Sequence, residues 1–87
     1  MKVQNFTSSN GNKVANQFII TEGNKETFQS YNSVIAVKEA GKITLDKTYW
    51  DYSTTTGKYR NQFLGESKAE TQRKIDSGVY QLADLNK

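Results

Sequence analysis

Through the first half of the chain, apolar and β-branched residues come in short bursts, each closed by a cluster of Gly, Asn, Ser or Glu. Alternation over a few residues between such clusters is the mark of strands joined by tight turns. Five strands are predicted. The first, Val3 to Thr7, is closed by Ser8-Ser9-Asn10-Gly11-Asn12, where Asn10-Gly11 suits the positive φ angles of a hairpin. The second runs from Val14 to Thr21, with Val14, Phe18 and Ile20 assigned to one face and Ala15, Gln17 and Ile19 to the other, so both faces are expected to be partly covered. Glu22-Gly23-Asn24 leads into Glu26 to Tyr31, Asn32-Ser33 into Val34 to Lys38, and Glu39-Ala40-Gly41 into Lys42 to Asp46. Val34 to Val37 is the longest strictly apolar stretch and is expected at the centre of the sheet. A meander is the simplest connection.

After Asp46 the pattern changes to helix signals. Thr55 or Thr56 is placed to cap a short helix with Tyr59 and Phe63 on one face and Gly65 at its end. Ser67-Lys68-Ala69-Glu70 has the spacing of a capping box, and the helix it opens should run to Ser77 and stop at Gly78. Glu70 and Lys74 would form an i, i+4 pair on its exposed side, while Ala69, Ile75 and the stem of Arg73 face the sheet. Val79 to Leu82 returns as a last short strand or an ordered tail. The expected fold is α+β: an antiparallel β-meander of about five short strands followed by two short helices and a possible last strand. It divides into a strand-rich half (1–46), an aromatic loop with a short helix (47–65), and a capped helix with a C-terminal strand or tail (66–87).

Eighty-seven residues suffice for one domain and not for two cores. Leu, Ile, Val and Phe together number only 18, near the level where disorder becomes the default, but five Tyr, four Phe and one Trp add large buriable surfaces. A net charge of +3 is too small to hold the chain open. With no cysteine a disulfide is impossible, so a well-paired sheet or an oligomer is implied. No apolar run approaches the ~20 residues of a membrane span, and Met1 to Thr7 lacks the apolar stretch of a signal peptide. A cytoplasmic protein without membrane contact is expected. Basic and acidic residues are interspersed, five against three in residues 1–45 and seven against six in 46–87, which is an ordinary surface rather than a nucleic-acid stripe.

The absence of histidine and cysteine removes the common nucleophile and base pairings and the usual zinc ligand sets. No metal, cofactor or catalytic residue is expected, and the protein reads as a non-enzyme. Gly57-Lys58 resembles the end of a P-loop, but residue 52 is Tyr where that loop needs Gly, and Lys58 is followed by Tyr59 rather than Ser or Thr. Asn5-Phe6-Thr7 matches a glycosylation acceptor in a chain with no secretion signal, a chance match in a strand.

What stands out is Lys47 to Phe63, which holds five of the ten aromatic residues together with Lys47, Lys58 and Arg60. The candidate binding residues are Tyr49, Trp50, Tyr52, Thr55, Thr56, Lys58, Tyr59 and Arg60. Tyr and Trp offer flat apolar area with a polar tip, and the hydroxyl run Ser53 to Thr56 lies at a helix entrance whose amides suit an anion. A phosphate backbone with bases stacked on Tyr49, Trp50 or Tyr52 would fit the same composition. A competing reading treats Trp50, Tyr52, Tyr59 and Phe63 as the stoppers of a core poor in aliphatics, and the hydroxyls as a capped loop. The two readings are not exclusive.

The strings FQSYNSVIAVKE and NFTSSNGNKVANQF, with the core Y-W-D-Y-S-x-T-T-G-K-Y-R-N-Q-F-L-G-E at Tyr49 to Glu66, resemble a family of small uncharacterised proteins encoded by phages and prophages. The resemblance spans nearly the whole chain and carries no functional residue. It implies a small accessory protein that binds a host macromolecule, such as a defence effector, a polymerase or a nuclease. A host protein is the expected partner. A single-stranded nucleic acid and a structural or virion role with homo-oligomer formation are the alternatives.

Overall fold

A computed structural model describes residues 1–8 and 10–86; Ser9, within the stretch expected to close the first strand, and Lys87 lie outside the described residues. Five strands, β1 (Lys2–Thr7), β2 (Lys13–Glu22), β3 (Lys25–Ser30), β4 (Ser33–Glu39) and β5 (Lys42–Asp46), form an antiparallel meander. Two helices follow, α1 (Thr54–Leu64) and α2 (Lys68–Asp76), and then β6 (Gln81–Ala83). The sheet order is β1-β2-β3-β4-β5-β6, with β6 parallel to β5. A parallel neighbour requires a crossover, and the two helices supply it. The expected last strand therefore exists, two residues later than Val79. The apolar stretch of β4 is central, as its composition predicts.

The turns follow local chemistry. Gly23 opens the two-residue β2–β3 turn at φ 58, and Ala40-Gly41 joins β4 to β5 with both residues at positive φ, 52 and 80. This left-handed pair is the turn that matches the twist of the flanking strands, and Ala40 bears its steric cost.

Side-chain placement departs from simple alternation at two irregularities. In β2, Asn16 takes φ 66, and the β1–β2 register shifts between Asn5 and Thr7. The irregularity reverses the facing of the residues before it. Val14 packs with Ile19 against the core, while Phe18 and Ile20 lie on the opposite face, so the expected grouping of Val14 with Phe18 and Ile20 is corrected. In β4, Phe28 faces Ala36 and Gln29 faces Val34, leaving Ile35 as an extra residue. Ile35 and Ala36 consequently both join the core with Phe6, Phe28 and Leu45.

Both helices cover the same face. Tyr59 and Phe63 of α1, four residues apart, complete an aromatic cluster in which Phe6 stands 5.2 Å from Phe28 and 5.4 Å from Tyr59, and Phe28 stands 5.8 Å from Phe63. The α2 helix contributes Ile75 and a buried Thr71, not the expected Ala69 and Arg73, which are exposed. Its capping box forms as the spacing predicts, but that commits the Glu70 carboxylate to Ser67. Lys74 instead donates to Glu66 at 2.6 Å, which corrects the expected Glu70–Lys74 pair. Glu66, nearly buried, also accepts from Thr71 Oγ1 and the Tyr80 hydroxyl, tying the loop after α1 to α2 and to the approach of β6.

One interior group is poorly served. Gln17 faces the core beside Ser30, whose hydroxyl pairs with Thr56 at 3.0 Å, yet neither polar atom of the Gln17 amide has a partner among the described residues. A buried amide without hydrogen bonds is costly. Gln17→Met should therefore raise the unfolding free energy by about 1–2 kcal/mol, read from urea unfolding; an unchanged or lower midpoint would show that the amide is satisfied in solution. Among the described residues no helix is long and apolar enough to cross a membrane.

Candidate functional site

The aromatic segment wraps from the end of β5 into α1, and its course is set by two anchors. The first is Asp46, the last residue of β5 and almost wholly buried. One carboxylate oxygen accepts from the backbone amides of Thr48 (3.0 Å) and Tyr49 (2.8 Å), and the other from Leu85 (2.8 Å). Burial pushes the Asp46 carboxyl up, but these three amides together with the Asn86 side chain more than offset it and hold it below its ordinary value.

The second anchor is Arg60, the seventh residue of α1 and 1% exposed. Its Nη1 donates to the Trp50 carbonyl at 2.8 Å and to Asp51 at 3.1 Å, and its Nη2 donates to the Asn61 side chain at 2.8 Å. The guanidinium carbon lies 5.2 Å from the Trp50 ring centre, and Nε is buried without a partner. A Cβ at Gly57 would stand 3.6 Å from both terminal nitrogens, so the cation lies directly against the first turns of α1. Asp51 also accepts from Lys68 Nζ at 2.6 Å, bridging the aromatic loop to the start of α2. Burial raises the Asp51 carboxyl, and Lys68 and Arg60 together outweigh this and lower it.

The cap of α1 is Ser53, whose hydroxyl accepts from the Thr56 amide, and not Thr55 or Thr56 as expected. The helix ends at Gly65 in the left-handed region, as predicted. Its first turn carries no acidic residue, so the positive end of its dipole has no charged counterpart within the helix.

The structure divides the eight candidate residues into three groups. Thr56, Tyr59 and Arg60 are buried and structural. Tyr49 and Trp50 are half-buried against the core. Tyr52, Thr55 and Lys58 are exposed, with Tyr52 47% accessible and its ring 5.5 Å from Tyr49 in an edge-to-face contact. Of the exposed three, Tyr52 and Lys58 border an open cleft of ≈ 820 Å³ lined also by Asp51, Ser53, Thr54 and Asn61, with Arg60 at its base. Lys68, from the start of α2, also lines it. Sequence reasoning passed over Lys68, Asn61 and Asp51. The only local clue to Lys68 was its place after the Ser67 cap, and nothing in the chain announced that this helix start would return to the aromatic loop.

The cleft has a net positive lining of Lys58, Lys68 and Arg60 against Asp51, two hydroxyls and one presented aromatic ring. That set suits recognition of an acidic or phosphorylated surface through charge, hydroxyl and ring contacts. Among the described residues no group of His, Cys, Asp and Glu is arranged to hold a metal ion.

Fold and cleft together define a small α+β meander domain with a basic depression at the entrance of its first helix. The chain belongs to a family of unknown function, DUF8033, whose model matches residues 1–78. No curated protein matches it, and no solved structure does.

Proposed function

We propose that this is a non-enzymatic accessory protein of the kind phages encode, which binds a host protein through the cleft at the entrance of α1. The observation that supports this reading is the division of labour in the aromatic segment. Asp46 and Arg60 hold the loop from beneath, leaving Tyr52, Lys58 and Lys68 presented around an open depression. Side chains held on an anchored loop bind with little ordering cost, and a Tyr beside Lys58, with Lys68 exposed but shared with Asp51, matches an acidic patch on a folded partner. A nucleic-acid partner has less behind it. Of the three rings suited to base stacking, Tyr49 and Trp50 lean on the core and only Tyr52 is free.

The test is affinity capture from bacterial lysate with wild type and a Tyr52→Ala/Lys58→Glu variant, both of which should be equally stable because the two side chains are exposed. A protein retained by wild type and lost at least tenfold with the variant is the expected result. Equal recovery by both would remove the cleft from the function. Salt-sensitive binding of a labelled single-stranded oligonucleotide, abolished by the same variant, would favour the nucleic-acid reading instead.

A further inference from the structure

The helices cover one face of the sheet, and among the described residues no element layers over the other. Strand registers place Val3, Ile20, Thr27, Val37 and Thr44 in one cross-strand row on that side, with Asn5, Phe18, Gln29 and Val34 in the next. None of the apolar members of these rows packs against the core cluster. At the hairpin end of the same face the registers Glu22↔Lys25, Lys25↔Glu39 and Glu39↔Lys42 set four charges in a row, alternating in sign across β2, β3, β4 and β5. Among the described residues none of the four is engaged in an ion pair.

We propose that this face is the contact surface of a two-fold symmetric dimer of the chain, with the alternating row fixing its register. A row reading Glu, Lys, Glu, Lys is complementary to itself when reversed. A two-fold axis parallel to the strands and passing between β3 and β4 reverses it, setting Glu22 opposite the partner's Lys42 and Lys25 opposite the partner's Glu39. All four contacts across the axis are then between opposite charges, as an isologous interface requires. The same rotation lays Thr27 over the partner's Val37 and brings the two rows, apolar residues interleaved with Thr, Asn and Gln, together as the inner layer of a sandwich whose sheets stand about 10 Å apart. This surface lies opposite the helices and shares no residue with the cleft.

Five strands at about 4.8 Å spacing, each contributing about six residues of 3.3 Å, give a face of roughly 20 × 20 Å. That is small against the ~800 Å² per partner of a typical specific interface, so the dimer is a weak one that dissociates on dilution.

Sedimentation equilibrium tests this without any substitution. The mass should approach twice the 9.9 kDa of the chain at high concentration. It should fall to the monomer between about 1 mM and about 10 μM. A monomer throughout overturns the proposal. The register is tested by charge reversal at exposed or half-exposed positions. Lys25→Glu and Glu39→Lys each place like charges opposite one another twice in a homodimer, so each alone should self-associate about tenfold more weakly than wild type. Mixed in equal amounts, the two variants present opposite charges at every contact and should form a heterodimer at least as tight as the wild-type dimer. The folded state of each monomer is the same alone and in the mixture, so recovery on mixing reports the interface and not the stability of either chain. Single variants that dimerise like wild type, or a mixture that stays monomeric, would overturn the assigned register.

Discussion

Arg60→Ala is expected to destabilise the protein by about 3 kcal/mol, among the largest single-residue losses in the molecule. The guanidinium is 1% exposed, and its removal orphans the Trp50 carbonyl and the Asn61 side-chain oxygen while opening space beneath the Trp50 ring. Asp51 moderates the cost, because its carboxylate is 30% exposed and keeps Lys68. Arg60→Lys should recover only a small part, since an ammonium cannot span the Trp50 carbonyl and the Asn61 side chain as the planar fork does. Lys58→Ala, two residues earlier in α1 and exposed, should change stability by less than about 0.5 kcal/mol. Urea unfolding of the three variants decides the matter. A loss at Arg60→Ala no larger than at Lys58→Ala would show that the arginine is not an anchor.

Asp46→Ala should cost about 2–4 kcal/mol, because it leaves the amides of Thr48, Tyr49 and Leu85 without their acceptor at a buried position. Two segments loosen together, the aromatic loop and the tail beyond β6, so hydrogen exchange at Tyr49 and Leu85 should accelerate in the variant more than in the β3–β4 hairpin. The same carboxylate makes stability pH-dependent. Asp46, Asp51 and Glu66 all have carboxyls lowered in the folded state, against unfolded values of about 3.9 for Asp and 4.3 for Glu. The unfolded chain therefore takes up protons first on acidification. The contribution of these groups is complete above those unfolded values, and it is lost as pH falls through the lower folded ones. Wild type should unfold progressively more easily below about pH 4, and Asp46→Ala should show a shallower acid dependence than wild type. Parallel acid profiles for the two proteins would mean that Asp46 titrates alike in both states.

Much of the secondary structure was readable from near neighbours. The five meander strands fall within one or two residues of where alternation and turn clusters put them, because a turn such as Ala40-Gly41 and a strand such as Lys42–Asp46 are specified by residues adjacent in the chain. The Ser67–Glu70 box and the Gly65 stop are equally local. What failed was facing and pairing. Alternation assigned Val14 to the wrong side because a single left-handed residue, Asn16, interrupts β2, and Asn at φ 66 leaves no mark that separates it from Asn in a regular strand. Lys74 was matched to Glu70 by helix spacing, but Glu70 was already bound by the capping box and Glu66 became its partner through the loop.

The aromatic segment shows the same division. Its composition marked it out, and composition alone could not tell a buried cation from a presented one. Arg60 became an anchor and Lys58 a surface charge because α1 docks with Tyr59 and Phe63 inward, and the Trp50 carbonyl and Asp51 lie within reach of one position and not of the other. The sequence by itself determined the strands, the Ser67–Glu70 capping box, the Gly65 stop and the missing His and Cys chemistry, all of which depend on residue type and short-range spacing. Only the tertiary structure decided which rings and charges face solvent, because burial depends on elements far apart in the chain arriving on the same face of the sheet.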